Sequence, residues 1–446
     1  MSSISQAASL PLSFDERQHG RFPETENHVD PGDIAVGVVI GRTSEYFDFF
    51  VYGIASVLVF PAVFFPQMQR LDGTLWSFAL FALAFIARPI GTVVSMSIQR
   101  RWGRATKLTI ALFLLGSSTA GIAFLPGAAS LGVTAVWLLA ALRVGQGLAL
   151  GGSWDGLPSL LALNAPKGKR GWYAMLGQLG APIGFILASA LFAYLYGSLS
   201  HADFLDYGWR YPFFVAFAIN VVALFARLRL VVAEDVEEQL TQRELEPVSA
   251  TELVRTQGAN VFIGAFAALA SYALFHLVTV FPLSWIQLYT EQSIVGFLLI
   301  QVLGGFLCAA SIAISGRLAD RYGRRRTLGT LAAMIAVFSG FAPTLLDGGT
   351  LGQDVFILLG FILLGLSYGQ SSGTVTANFA PRYRYTGAAL TSDIAWLFGA
   401  AFAPLVALGL SAHFGLGYVS VYLLSGAACT LGALGLNRAL EDRERD

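Results

Sequence analysis

Twelve stretches of this chain run for about 20 residues with almost no charge, the length a helix needs to cross a bilayer. They cover 34–58, 75–98, 108–126, 131–153, 172–196, 209–230, 260–284, 294–315, 327–345, 354–376, 386–410 and 414–436. A pattern this long and regular leaves little room for a soluble fold. Composition agrees: 55% of the 446 residues are hydrophobic and 13% are charged, against about 25% charged in soluble domains. Lysine plus arginine equals aspartate plus glutamate, 28 each, so net charge signals no nucleic acid and no acidic partner. The chain reads as an all-α membrane protein of twelve transmembrane helices, a monomer whose surroundings are the lipid bilayer.

Charge gathers between the runs. Arg100, Arg101, Arg104 and Lys107 separate the second and third; Lys167, Lys169 and Arg170 follow the fourth. Five arginines from Arg317 to Arg326 separate the eighth and ninth, and Arg382 and Arg384 the tenth and eleventh. The alternate connections carry little beyond Arg70 and Arg210. Cationic loops stay on the cytoplasmic side, which places both termini there. Residues 1–33 and 437–446 are then cytoplasmic tails, 34–230 and 260–436 two six-helix bundles, and 231–259 a solvated linker. Residues 1–32 lack the basic start of a cleavable signal. Cys308 and Cys429 both fall inside runs, so free thiols are expected, with no disulfide and no metal site.

The two halves echo each other. "QRRWGRATKLT" at 99–109 aligns with "ADRYGRRRTLG" at 319–329, and "APKGKRGWY" more loosely with "APRYRYTGA". Repeats of this kind build secondary transporters, with the binding site between the halves near the bilayer midplane. "GRLADRYGRR" at 316–325 resembles the loop signature of the major facilitator superfamily. "SEYFDFFVYG", "FIARPIG", "RVGQGLALGGSW", "RGWYAMLGQLGAPIG", "YGWRYPFF" and "APRYRYTGAAL" together resemble its metabolite–proton symporter branch. The resemblance covers nearly the whole chain. It implies a multi-pass carrier of the bacterial inner (plasma) membrane, two six-helix bundles moving a small organic anion or zwitterion with a proton by alternating access. It also implies an acid in the first helix working with an arginine in the fourth.

"SEYFDFFVYG" carries the chemistry. On a helix Glu45, Asp48 and Tyr52 share one face, at i, i+3 and i+7. A lone carboxylate at the bilayer centre costs at least ~2.5–3.5 kcal/mol on insertion scales, so two need water or partners. Arg143 and Arg88 lie at similar depth on their own helices, ~15–16 Å from the cytoplasmic ends at ~1.5 Å per residue. Arg42 is placed to pair locally with Glu45. A nearby arginine favours an ionised acid and desolvation a neutral one. A carrier that alternately wets and buries the site can swing between them, freeing arginine for substrate. Asp48, Glu45 and Arg143 are thus the proton-coupling candidates. Arg143, Arg88, Tyr52, Gln178, Tyr272 and His276 are the substrate-binding candidates, the histidine against the blander role of a packing residue. Asp393 reads equally as a second titrating site or a cap. Gly145, Gly147, Gly151 and Gly152 in the fourth run, with Gly177, Gly180 and Gly184 in the fifth, read as close helix-packing surfaces.

Three departures from the family pattern stand out. The family has Asp where this chain has Arg100, and Glu where it has Ser153 and Asn378. Those acids help close the cytoplasmic side. Asp155 and Asp320 remain as gate residues, with Arg170, Arg324 and Arg384 as expected partners. The losses predict an empty protein resting open to the cytoplasm. No Gly-rich phosphate loop ending in Lys-Ser/Thr is present, which argues against an ATP-driven pump, and no catalytic triad stands out, so neither enzyme nor cofactor is expected. Two alternatives stay open: an exporter of a small hydrophobic or natural-product molecule, and a transporter-like ligand sensor.

Overall fold

The computed structural model describes residues 31–437 apart from 167, 232, 234, 235, 237, 239, 242–244 and 373–378. Lys167 and Asn378 therefore lie outside the described residues. Where apolar chain meets lipid, each backbone N–H and C=O must find its partner within the segment, and the α-helix does this locally. The described residues form helices and short connections, with no strand among them. Ten helical stretches are long and apolar enough to cross a membrane. One of them, Arg70–Phe124, turns back at Gly103 (φ 84°) and is two spans.

The spans are α1 (Pro31–Leu58), α2 (70–102), α3 (104–124), α4 (Val133–Gly152), α5 (Gly180–Ser198, preceded by the short helix Arg170–Leu176) and α6 (Arg210–Val231). In the second half α7 comes in three pieces, Ala250–Ala267, Leu269–Thr279 and Phe281–Tyr289. Its first piece starts inside the stretch 231–259 expected as linker. Then follow α8 (Ile294–Tyr322), α9 (Arg324–Asp347) and α10 (Gly349–Tyr368). Next, α11 runs Arg384–Trp396, a π-helical turn Leu397–Ala401 and Ala403–Phe414, and α12 is Gly417–Leu436. The span missing from the apolar ten is α1, which carries Arg42, Glu45 and Asp48 in its middle.

The internal repeat is visible in the backbone. Gly103 and Gly323, at matching places in the two loop motifs, both adopt positive φ, 84° and 82°, which an L side chain resists. The spans form two six-helix halves, α1–α6 and α7–α12. Within the first half α2 and α4 approach backbone to backbone: a Cβ on Gly147 would stand 2.3 Å from the Ala84 carbonyl oxygen, and one on Gly151 2.2 Å from that of Arg88. Only glycine permits this contact. Large apolar side chains such as Phe113, Trp137, Phe225, Phe306 and Phe341 face outward, as a lipid-facing belt requires.

Candidate substrate cavity and its buried charges

The turns at Gly103 and Gly323 lie at one end of the bundle, called here the basic face. Between the halves lies a cavity with about 610 Å³ of space free of atoms, part of it open to solvent. Its wall joins Arg42 and Tyr46 of α1, Arg88 of α2, Gln178 before α5, Tyr272 of α7, Tyr368 of α10 and Trp396 of α11. An adjoining space of about 400 Å³ shares Arg42, Tyr46, Arg88 and Trp396 and adds Glu45, Phe49 and Phe85. The tyrosine hydroxyls of Tyr46 and Tyr368 hydrogen-bond across the halves. Gln178 donates to Ser371 Oγ at 3.0 Å. Arg88, Gln178 and Tyr272, substrate-binding candidates from the sequence, are all on this wall. Tyr46, Tyr368 and Trp396 were missed, because single aromatics do not stand out in a chain with 34 phenylalanines and 15 tyrosines.

Glu45 and Asp48 face different company. Arg42 donates to Glu45 at 2.9 Å, the expected i+3 pair, and Arg227 of α6 donates to it at 2.7 Å. Arg227 also reaches Asp155 at 3.3 Å. Asp155 therefore pairs with Arg227; Arg170, one of the three expected gate partners, is exposed. Arg227 itself was not singled out from the sequence, although an arginine inside a long apolar helix was the available signal.

Asp48, 2% exposed, has no cation in direct contact among the described residues. It accepts from Thr119 of α3 at 2.6 Å, Gln146 of α4 at 3.0 Å and Asn220 of α6 at 2.7 Å. Three neutral donors from three helices hold it. Arg143 joins this cluster at one remove, donating to Gln146 Oε1 at 3.0 Å. Its guanidinium lies over the Tyr52 ring, 3.9 Å from the centroid. Arg143 Nη2 and the Tyr52 hydroxyl are buried without a hydrogen-bond partner among the described residues. Neither side chain reaches the cavity wall, so the expectation that both line it is corrected: they sit within the first half. Asp48 and Tyr52 turn into the first half rather than toward the second, while Glu45, held by Arg227 of α6, also borders the smaller space.

His276 is likewise off the wall. It is fully buried and packs on Phe49 at 5.3 Å and Phe81 at 5.2 Å between ring centroids. The packing role describes it here. Asp393 pairs across the halves: Arg88 Nε stands 2.7 Å from its Oδ1, an ion contact with the hydrogen off-axis, and Thr92 donates to Oδ2.

At the basic face the halves are joined. Asp320 of α8 accepts from the backbone amides of Gly171 and Trp172, at 2.6 and 3.1 Å. Gln370 donates to the Gly171 carbonyl at 3.3 Å, and Ser372 to that of Ala174 at 3.0 Å. On the other side Lys107 donates to Tyr385 at 2.8 Å, and Tyr385 to Gln99 at 2.8 Å. In place of the missing acid, Arg100 donates to the Val248 carbonyl at 3.2 Å. Arg324 and Arg384 open α9 and α11 at this same face. The sequence-based expectation is an empty protein resting open to the cytoplasm; in this conformation these bonds hold the basic face closed.

A cavity between two repeated six-helix halves, inside an apolar belt, is the arrangement of a multi-pass membrane transporter. The chain belongs to the major facilitator superfamily, whose family pattern matches residues 49–404. It is 36% identical over 409 residues to the inner membrane metabolite transport protein YhjE of Escherichia coli (strain K12), covering 90% of this chain and 92% of that one. It is 32% identical over 411 residues to the shikimate transporter of the same organism, again covering 90% and 92%. In fold it resembles the crystal structure of a D-xylose-proton symporter (TM-score 0.68, 19% identity, 91% of this chain and 97% of that one). A partially occluded, inward-open form of the xylose transporter XylE from E. coli aligns with TM-score 0.70 at 16% identity, covering 92% and 98%.

Proposed function

We propose that this protein carries a small organic anion or zwitterion of the carboxylate class together with a proton, by alternating access. The observation behind this reading is the cavity wall: two arginines, Arg42 and Arg88, beside Tyr46, Tyr272, Tyr368, Trp396 and Gln178. A guanidinium offers paired donors that match a carboxylate, and aromatic faces take the rest of a small metabolite. Asp48 is the proton carrier. It is buried, and neutral donors hold it, so either protonation state can be accommodated by rotating a hydroxyl or an amide. Gln146 connects that state to Arg143. The naming of the relatives as transporters of metabolites and of shikimate fits a carboxylate cargo.

The basic face is cytoplasmic in this proposal, with both termini inside and the protein monomeric in an inner membrane. The domain limits expected from the sequence are kept as the working division. The test is uptake in proteoliposomes. Candidate organic acids, amino acids and betaines are first screened by thermal shift, since ligands that bind the folded state stabilise it. Binders are then offered with an inward proton gradient. Accumulation that collapses with the gradient supports symport; accumulation indifferent to it refutes the coupling.

A further inference from the structure

The mechanism above leaves Asp393 unused. It is a buried carboxylate of the second half, next in sequence to the wall residue Ser392, and its cation, Arg88, belongs to the first half and lines the cavity. We propose that Asp393 is an internal stand-in for the substrate's carboxylate, holding Arg88 and the two halves together until substrate displaces it. The inference rests on the reading that Arg88 receives the substrate.

Two observations carry it. The first is position. Arg88 borders both the larger and the smaller space between the halves, while its Nε contacts Asp393 at 2.7 Å without an aligned hydrogen bond. A carboxylate arriving in the cavity meets the same guanidinium with better geometry available. The second is charge balance. Near the cavity Arg42, Arg88 and Arg227 are ion-paired with Glu45, Asp155 and Asp393, and Lys107 is buried beside Tyr385. The Arg88–Asp393 pair is itself neutral. An added anion that takes Arg88 leaves Asp393 buried and unpaired, which is costly. A proton taken up on the Asp393 carboxylate, distinct from the one that Asp48 carries, offsets that stranded charge as the Arg88–Asp393 contact breaks.

The other groups around Asp393 do not replace that arginine. Thr92 of α2 donates one hydrogen bond. Arg42 is engaged by Glu45. Tyr46 of α1 and Tyr368 of α10 bond each other, and Tyr272 of α7 lines the wall. On Ala250–Ala267, Glu252 is taken by Arg382 and Tyr383 at the basic face, and Arg255 is exposed.

The test uses the full-length protein in nanodiscs with benzoate as probe, a ring-bearing monocarboxylate suited to an aromatic wall, and its neutral analogue benzamide as control. Dissociation constants are measured at pH 5.5 and 7.5. Wild type should bind benzoate more tightly at pH 5.5. Asp393→Asn should bind it at least tenfold more tightly than wild type at pH 7.5 and lose the pH dependence. Thr92→Val, which loosens the hold on Asp393 without removing charge, should fall between, and it decides the matter if Asp393→Asn does not fold. Asp393→Asn binding no tighter than wild type, while Arg88→Gln abolishes binding, overturns this inference and leaves the substrate site standing. Benzoate binding unaffected by Arg88→Gln overturns the site reading itself.

Discussion

Asp320→Ala should open the basic face of the empty protein. The Asp320 carboxylate takes two backbone amides of the opposite half, at 2.6 and 3.1 Å. Charge-assisted hydrogen bonds can contribute more, but Asp320 is only half-buried, so ~1 kcal/mol for each is a fair figure. Both are lost in alanine, and the amides are rehydrated when the halves part. About 2 kcal/mol is a shift of roughly 30-fold in the closed-to-open ratio. Asp320→Asn keeps one acceptor and should shift it about fivefold, from ~1 kcal/mol. The assay follows a cysteine placed at Ala162, on the cavity wall toward that face. Cys308 is buried and Cys429 exposed, and both are replaced first. While the closed state dominates, the rate of maleimide labelling tracks the open population. Rates rising in the order wild type, Asn, Ala support the latch. Equal rates in all three would mean that these two bonds hold nothing together, and that Lys107, Tyr385 and Gln99 close the face alone.

Other outcomes follow from the same geometry. Asp48→Asn should abolish uphill, proton-driven accumulation in proteoliposomes and spare counterflow of the same substrate. Because Arg143 reaches Asp48 only through Gln146, Gln146→Leu should damage coupling as severely as Arg143→Gln, read as the ratio of proton-driven uptake to counterflow. Arg227→Ala strands Asp155 and leaves Glu45 with Arg42 alone, and should destabilise the fold by ~3 kcal/mol, seen as a lower melting temperature and partly recovered in Arg227→Leu combined with Glu45→Gln. Gly147→Leu forces side-chain atoms into the Ala84 backbone and should cost ~3 kcal/mol or more, so that the protein no longer elutes as a single species in detergent.

How much of this was legible in the sequence varies with the kind of relation. Apolar run length gave the spans, because backbone satisfaction in lipid is a local demand. The matched glycines at 103 and 323 were legible as a repeat, and both turned out to make the positive-φ turn. The Arg42–Glu45 pair was legible because i+3 spacing fixes a helical neighbour. Depth alone could not separate Asp48 from Glu45 as a partner for Arg143. Rise per residue gives height along a helix but not which way a side chain faces, and Gln146 fills the gap between them. The polar clamp on Asp48 was hidden in the same way: Thr119 ends a Ser-Ser-Thr run of α3 and Asn220 sits in an apolar stretch of α6, and only the packing of α1 against α3, α4 and α6 brings them to one carboxylate. Arg88 with Asp393 was least legible, since it depends on how one half is set against the other.

That last dependence bears on how the carrier works. The two halves descend from one pattern, yet they close the basic face by different chemistry. On the side of α8, the loop acid survives as Asp320 and grips the backbone before α5. On the side of α2, the equivalent position is Arg100, which reaches the connecting segment at Val248, while the grip on α11 passes to the side chain of Tyr385, fully buried beside Lys107. A carboxylate on backbone amides is indifferent to which side chains surround it. A buried tyrosine hydroxyl held by a lysine depends on the seat around its ring, where a Cβ on Gly156 would come within 2.8 Å. The second closure is therefore as much a packing contact as a polar one, and it lies at the end of Arg384–Trp396, the helical segment that carries Asp393. Displacing Asp393 from Arg88 frees the middle of that segment, and the Tyr385 seat is the next contact along it that must yield before the face can open.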